Sequence, residues 1–244
     1  MGMPVSIEVL DDIAPAAVDD VFAWLRQVEA TFSTYRDDSQ VTRLDRGELE
    51  LEDAEADVRE VLSACEAYGA ATGGFFDMRA SGRLDPSGLV KGWAVDRAGA
   101  ILERAGARRF CLNAGGDVLV RGCEPWRIGI QHPRLRDRLA GVVALSDGAV
   151  ATSGGYERGA HVLDPHTGRP PSGTLSVTVV GEELGAADAF ATAALAMGAG
   201  GPLWTSSLSG FEAMTILDDG RVLTTPGFLA YCPGGSPAAS LVAA

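Results

Sequence analysis

The feature that most constrains this chain is a change of apolar periodicity near residue 105. Upstream, after Pro15, the residues Val18, Val21, Phe22, Leu25, Val28 and Phe32 recur at helical spacing. A second helical face carries Val58, Val61, Leu62 and Cys65 and stops near Thr72-Gly73-Gly74. A third begins after Asp85-Pro86-Ser87 and turns Ala94, Val95, Ala98, Ile101 and Leu102 inward. Downstream come short β-rich runs: Phe110–Leu112, Val118–Val120, Trp126–Ile130, Val142–Leu145, Ala149–Thr152 and Leu175–Val180. Asp147-Gly148 and Asp219-Gly220 are dipeptides favoured in tight hairpin turns. One helix, Ala186–Met197, interrupts the strands, and Ala213–Leu217 with Arg221–Thr225 forms a late hairpin. With a short strand at Val5–Leu10, helices and antiparallel strands come in blocks without βαβ alternation, which predicts an α+β fold. The expectation is a single domain over residues 1–244, loosely ordered in the Gly/Ala/Pro-rich tail after Pro233.

The net charge of −13 argues against nucleic acid as a partner, since phosphate recognition rests on Lys and Arg. It equally disfavours anionic membrane surfaces. A phosphate-bearing ligand would need local help from a metal ion or backbone N–H groups. Two long uncharged stretches, Ala189–Phe211 and Val222–Ala244, are broken by Gly and Pro and predict no membrane segment. The opening MGMPVSIEVLDD has no basic or apolar leader region, and Cys65 and Cys111 fit buried thiols, so the expected location is the cytoplasm. No GxGxxG or GxxxxGK[ST] cradle occurs, nor any HExxH; with three His in the chain a His-rich zinc site is not expected.

Four segments carry candidate chemistry. In Asp85–Gly92, DPSGLVKG, an acidic residue and a Ser lead into a helix with Lys91 in its first turn. Capping by Asp85 or Ser87 explains part of this. A cation at a helix start is disfavoured by the dipole, and an anion held there by the N–H groups and Lys91 would resolve the conflict. Asn113-Ala114-Gly115-Gly116-Asp117 reads as a hairpin, a bulge or a ligand loop. Ala151-Thr152-Ser153-Gly154-Gly155-Tyr156, followed by His161 and Asp164-Pro165-His166-Thr167-Gly168, lacks the GxSxG elbow of a nucleophile and has ordinary turn chemistry. His161 is either a core histidine or a proton-transfer group. Asp188 and Thr192 share one face of a helix otherwise small or apolar, where they either serve their own helix or hold a hard cation through oxygen.

Taken together and in this order, these segments resemble the FAD:protein FMN transferase (ApbE) family over almost the whole length. Met1-Gly2-Met3-Pro4-Val5 is similar to its MGTPV opening, and Phe32-Ser33-Thr34-Tyr35 with Ser39 and Val41-Thr42-Arg43-Leu44 to its fS-Y...S-(V/I)-(S/T)-R-L segment. Asp85–Gly92 is similar to its D-x-S-G-(I/L)-x-K-G helix start, Asn113–Asp117 to its N-x-G-G-D turn, and Ala151–Gly154 with His161–Gly168 to its ATSG...H-(I/L)-(I/L)-D-P-x-T-G block. Ser176-Val177-Thr178-Val179 and Ala187-Asp188 through Thr192 complete the set. One departure is a short connection, only Met78–Leu84, between Asp77 and Asp85.

The resemblance implies a T-fold-like α+β arrangement and an FAD site lined by Met1, Tyr35, Phe75, Phe76, Asp77, Asp85, Lys91 and Leu163. It implies Mg2+ held beside the pyrophosphate by Asp188, Thr192 and the Gly88 backbone oxygen. The implied reaction moves FMN from FAD onto a Ser/Thr hydroxyl of an acceptor flavoprotein, with release of AMP. Phosphoryl transfer asks chiefly for positioning and charge neutralisation, and the attacking hydroxyl needs a proton acceptor, for which His161 or Asp164 is the candidate. The alternatives are an Mg2+-dependent FAD pyrophosphatase releasing FMN and AMP, and a non-enzymatic FAD-binding protein.

Overall fold

A computed structural model describes residues 2–155 and 162–234; Met1 and His161 lie outside the described residues, as does the tail from 235 on. In chain order the elements are β1 (Val5–Val9), α1 (Pro15–Phe32), α2 (Gln40–Asp45), α3 (Ala56–Ala71), α4 (Ser87–Arg104), β2 (Phe110–Ala114) and β3 (Asp117–Arg121). There follow β4 (Trp126–Gln131), β5 (Leu139–Leu145), β6 (Gly148–Gly154), β7 (Thr174–Gly181), α5 (Leu184–Ala196), α6 (Gly201–Thr205), β8 (Glu212–Leu217) and β9 (Val222–Thr224). Short 3-10 turns sit at Leu51–Asp53, Gly198–Gly200 and Phe228–Tyr231.

The sheet has seven strands in the order β1-β2-β3-β6-β7-β8-β9, and each neighbouring pair is antiparallel. β4 and β5 form a separate two-stranded hairpin. Alternation along each strand sends side chains to opposite faces. Leu119, Ala149, Ala151, Val177 and Val179 join the core under the helices, whereas Val118, Val120, Val150, Met214 and Ile216 meet the β4–β5 hairpin and Phe228 on the other face. The α+β expectation holds.

α1 starts with Pro15 at its first position, where the missing N–H costs nothing, and buries Val21, Leu25, Val28 and Phe32. α2 and α6 were not foreseen, being six and five residues long and too short to show a helical period. A cap marks α2 instead: Ser39 Oγ accepts from Thr42 N at 3.1 Å. Among the described residues no helix is long and apolar enough to cross a membrane. Cys65 and Cys232 are buried, Cys111 is half-buried, and none of the four cysteines is in a disulfide.

Candidate active site

Two helices set the site by close approach. At Gly92, in α4, a Cβ atom would lie 2.5 Å from the Leu184 carbonyl oxygen and 2.7 Å from Gly185 Cα, so only glycine lets the start of α5 reach this depth. From α4, Asp96 then accepts hydrogen bonds from Leu184 N at 2.9 Å and Gly185 N at 2.8 Å, satisfying donors that a helix N-terminus leaves open. Burial pushes the Asp96 carboxyl up to about 6, against the pull of those two N–H groups.

Five residues before Asp96 on the same helix, Lys91 faces the sheet and α5. Its Nζ lies 2.5 Å from Asp117 Oδ2 and 3.6 Å from Asp188 Oδ1. α4 starts at Ser87, which puts Lys91 fifth in the helix and beyond the first turn, where the sequence had suggested it. The conflict of a cation near a helix start is met by carboxylates of the chain itself. Asp117 is 1% and Asp188 2% exposed. Burial drives the Asp188 carboxyl well above the usual carboxylate range; Lys91 and the Gly92 N–H oppose this and Asp117 adds to it. Asp117 Oδ1 accepts from Thr152 N at 2.9 Å. Asp117 Oδ2 meets the ammonium outside hydrogen-bond geometry, and Asp188 Oδ2 has no hydrogen-bond partner among the described residues.

The Asp117 position follows from the turn before it. Ala114 and Asp117 close the β2–β3 hairpin across Gly115 and Gly116, with φ of 62° and 97°, a two-residue turn of the kind that suits right-twisted strands. The Asn113–Asp117 segment is therefore a hairpin whose last residue reaches the site. One turn beyond Asp188 on α5, the Thr192 hydroxyl lies 3.2 Å from Ser153 Oγ. A methyl group on Gly88 would come 3.5 Å from Thr192 Cγ2 and 3.1 Å from the Phe76 ring. Gly88 and Thr192, two of the three residues expected together as cation ligands, thus approach each other at the α4–α5 contact, and Asp188 lies one turn before Thr192 on α5. No group of three His, Cys, Asp or Glu suited to a metal exists among the described residues, so a cation here would draw on hydroxyl, backbone and water oxygens as well as Asp188. A buried carboxylate oxygen without a partner among the described residues, on the same helix as a hydroxyl one turn on, is donor chemistry that suits a hard divalent cation, and the residues fit it.

The remaining expected residues form a second group. Asp85 Oδ1 accepts from Ser87 N at 3.0 Å and so begins α4. The short connection before it is pinned from α2, where Asp45 Oδ1 accepts from Leu84 N at 2.8 Å. Phe75 packs edge-on against His166, and His166 Nε2 lies 3.1 Å from Gly73 O, which joins the 72–76 turn to the 164–168 turn. Leu163 is half-buried at the start of that turn. Phe76 is 3% exposed and belongs to the helical core, in edge contact with Tyr68, so it backs Gly88 and does not line an open surface. Asp77 is exposed and accepts from Arg79 N at 2.8 Å, and Tyr35 is 93% exposed.

Asp164 spends its carboxylate on its own turn. Oδ2 accepts from Thr167 Oγ1 and Oδ1 from His166 N, each at 2.9 Å, and these bonds, the Thr167 hydroxyl foremost, hold its pKa below the usual carboxylate value. A carboxylate so engaged orders its own turn and is a weaker proton acceptor than a free one. In the sequence Asp117 stands out only as the end of a turn, and neither Asp96 nor Ser153 shows a role of its own. Nothing in their local pattern shows the burial that makes them matter.

Residues 1–81 and 78–215 match the sequence model of the ApbE family. A protein of Rhodobacter capsulatus named FAD:protein FMN transferase is 32% identical over 240 residues, covering 92% of this chain and 43% of its own length. One of the same name from Vibrio cholerae is 34% identical over 129 residues, covering 47% of this chain and 39% of its own. The chain therefore spans less than half the length of these curated relatives. Among solved structures, the ApbE protein of Thermotoga maritima superposes with a TM-score of 0.84 at 24% identity, covering 95% of this chain and 96% of that one. The flavin transferase ApbE of Vibrio cholerae does so at 0.83 and 23%, with the same coverage. These two likenesses concern the fold. With the family's sequence model covering most of the chain, the protein belongs to the ApbE family.

Proposed function

We propose that this protein is an Mg2+-dependent FAD:protein FMN transferase, which moves FMN from FAD to a Ser or Thr hydroxyl of an acceptor flavoprotein and releases AMP. The observation that carries this reading is the buried Asp188 carboxylate, whose Oδ2 has no hydrogen-bond partner among the described residues, one helical turn before a Thr192 that packs against Gly88. A carboxylate kept dry and unsatisfied at such a cost suits a ligand that arrives with positive charge. The names of the curated relatives support flavin transfer as the use of that site.

In this reading Asp188, Thr192 and the Gly88 carbonyl hold the cation, which when bound neutralises pyrophosphate charge. Lys91 lies next to it as the fixed positive charge of an acidic chain. Phe75 and Leu163, on the two joined turns, with Met1, Tyr35, Asp77 and Asp85, would bind the flavin nucleotide, and Phe76 supports the helix start from behind. His161 takes the proton of the attacking hydroxyl, since Asp164 is committed to its turn.

The test is to incubate the protein with FAD and Mg2+, with and without an acceptor flavoprotein, and to look for FMN attached covalently to the acceptor. Attachment that requires Mg2+ supports the proposal. FMN and AMP released at the same rate in either case would make the protein a pyrophosphatase, and FAD retained unchanged would make it a flavin-binding protein. Replacing His161 by Ala is expected to spare FAD binding and slow transfer; an unchanged transfer rate removes it from the mechanism.

A further inference from the structure

Asp117 lies outside the expected cation ligands, yet it is one of the most buried acids of the site and its nearest charge is Lys91. One ammonium stands between two buried carboxylates. It is 2.5 Å from Asp117 and 3.6 Å from Asp188, an unequal division that leaves the charge of Asp188 only partly answered. In a dry interior, an ammonium moves onto whichever carboxylate is better placed, because an unpaired buried charge is costly.

We infer that Asp117 is a positioning residue: by holding the Lys91 ammonium on itself, it keeps Asp188 available to a divalent cation. Three features let it do so. The Gly115-Gly116 turn delivers it to the first position of β3, a rigid strand between two others. The Thr152 N–H fixes its Oδ1, leaving Oδ2 to face Lys91. The residue after Thr152 on β6, Ser153, meets the Thr192 hydroxyl at 3.2 Å, so consecutive residues of β6 set both the Lys91 anchor and the proposed hydroxyl ligand. With both carboxylates ionised, as a bound cation requires, Lys91, Asp117 and Asp188 together carry one excess negative charge, matched to an incoming cation. Without Asp117 they would carry none, and Lys91 would sit on Asp188 as a built-in competitor.

This inference rests on the cation site proposed above, and the test separates the two. Mg2+ alone is titrated calorimetrically into the wild-type protein, Asp188→Asn, Asp117→Asn, Lys91→Met and the double variant Asp117→Asn/Lys91→Met, with thermal melts run beside them. Asn at 117 retains an oxygen for Thr152 N while losing the charge. The expected result is that Asp188→Asn abolishes binding and Asp117→Asn weakens it by about ten-fold or more. Lys91→Met should bind at least as tightly as wild type. The double variant, whose charge count equals that of wild type, should recover to within about three-fold. A purely structural role for Asp117 gives no such rescue, because removing Lys91 cannot repair a misfolded hairpin. Binding retained by Asp188→Asn overturns the cation site and this inference with it. Binding lost in Asp188→Asn, but unchanged in Asp117→Asn or unrescued in the double variant, overturns the role of Asp117 alone. If Asp117→Asn fails to fold, Lys91→Met decides: weaker binding than wild type contradicts Lys91 as a competitor.

Discussion

Among the described residues, Asp188 is buried near Asp117 with Lys91 as their shared cation, so two carboxylates there meet one ammonium. Such an arrangement trades stability for a site. Asp188→Asn leaves a balanced Lys91–Asp117 pair, so in the absence of metal its melting point should rise, by roughly 2–4 °C for about 1 kcal/mol in a domain of this size. Scanning calorimetry of the metal-free protein checks this; a fall of several degrees would show that Asp188 is stabilising as it stands. The composition of this cluster was legible in sequence only in part. Asp188 and Thr192 announce themselves by standing four apart on a helix of alanines. Asp117 does not, because its role depends on a burial that comes from strands 30 and more residues away, as its bond from Thr152 shows.

The contact of α4 with α5 is where glycine and aspartate spacing becomes geometry. Gly92→Ala puts a methyl group against the Leu184 carbonyl, a backbone atom that cannot rotate away, and the helices must separate. We expect a loss of about 1–3 kcal/mol in urea unfolding together with weakened Mg2+ binding. Asp96 links the same helices, and its pH dependence has a definite sign. Its folded pKa of about 6 lies above the ordinary aspartate value of 3.8, so the native state holds the proton more tightly than the unfolded chain. The contribution of this group is full below about pH 4 and declines as pH rises to about 6, by on the order of 2–3 kcal/mol. Relative to wild type, Asp96→Asn should lose that decline; parallel stability profiles over this range would contradict the assignment. The long helices and most strands were readable from periodicity. Their ends were not: α5 begins at Leu184, two residues before the expected start, because Asp96 of another helix supplies its cap.

For the molecule as a whole, the helices cover one face of the sheet and the β4–β5 hairpin the other, and the buried cluster lies where α4 and α5 meet the strands β3 and β6. The change of periodicity along the chain foretold this α+β division. The order of strands in the sheet was not foretold, since neighbours such as β3 and β6 are joined only after the hairpin has been set aside. A cation binding only the folded state stabilises all of it. At about a hundred times its dissociation constant, Mg2+ should raise the wild-type melting point by roughly 5–10 °C and leave that of Asp188→Asn where it was. The most direct trial of the account joins this to the chemistry: wild type and Asp188→Asn are given FAD, Mg2+ and an acceptor flavoprotein, and the intact mass of the acceptor is followed. The account predicts an FMN adduct with wild type and none with Asp188→Asn, although the variant is folded and no less stable. An adduct formed equally by both, or by neither, would contradict it.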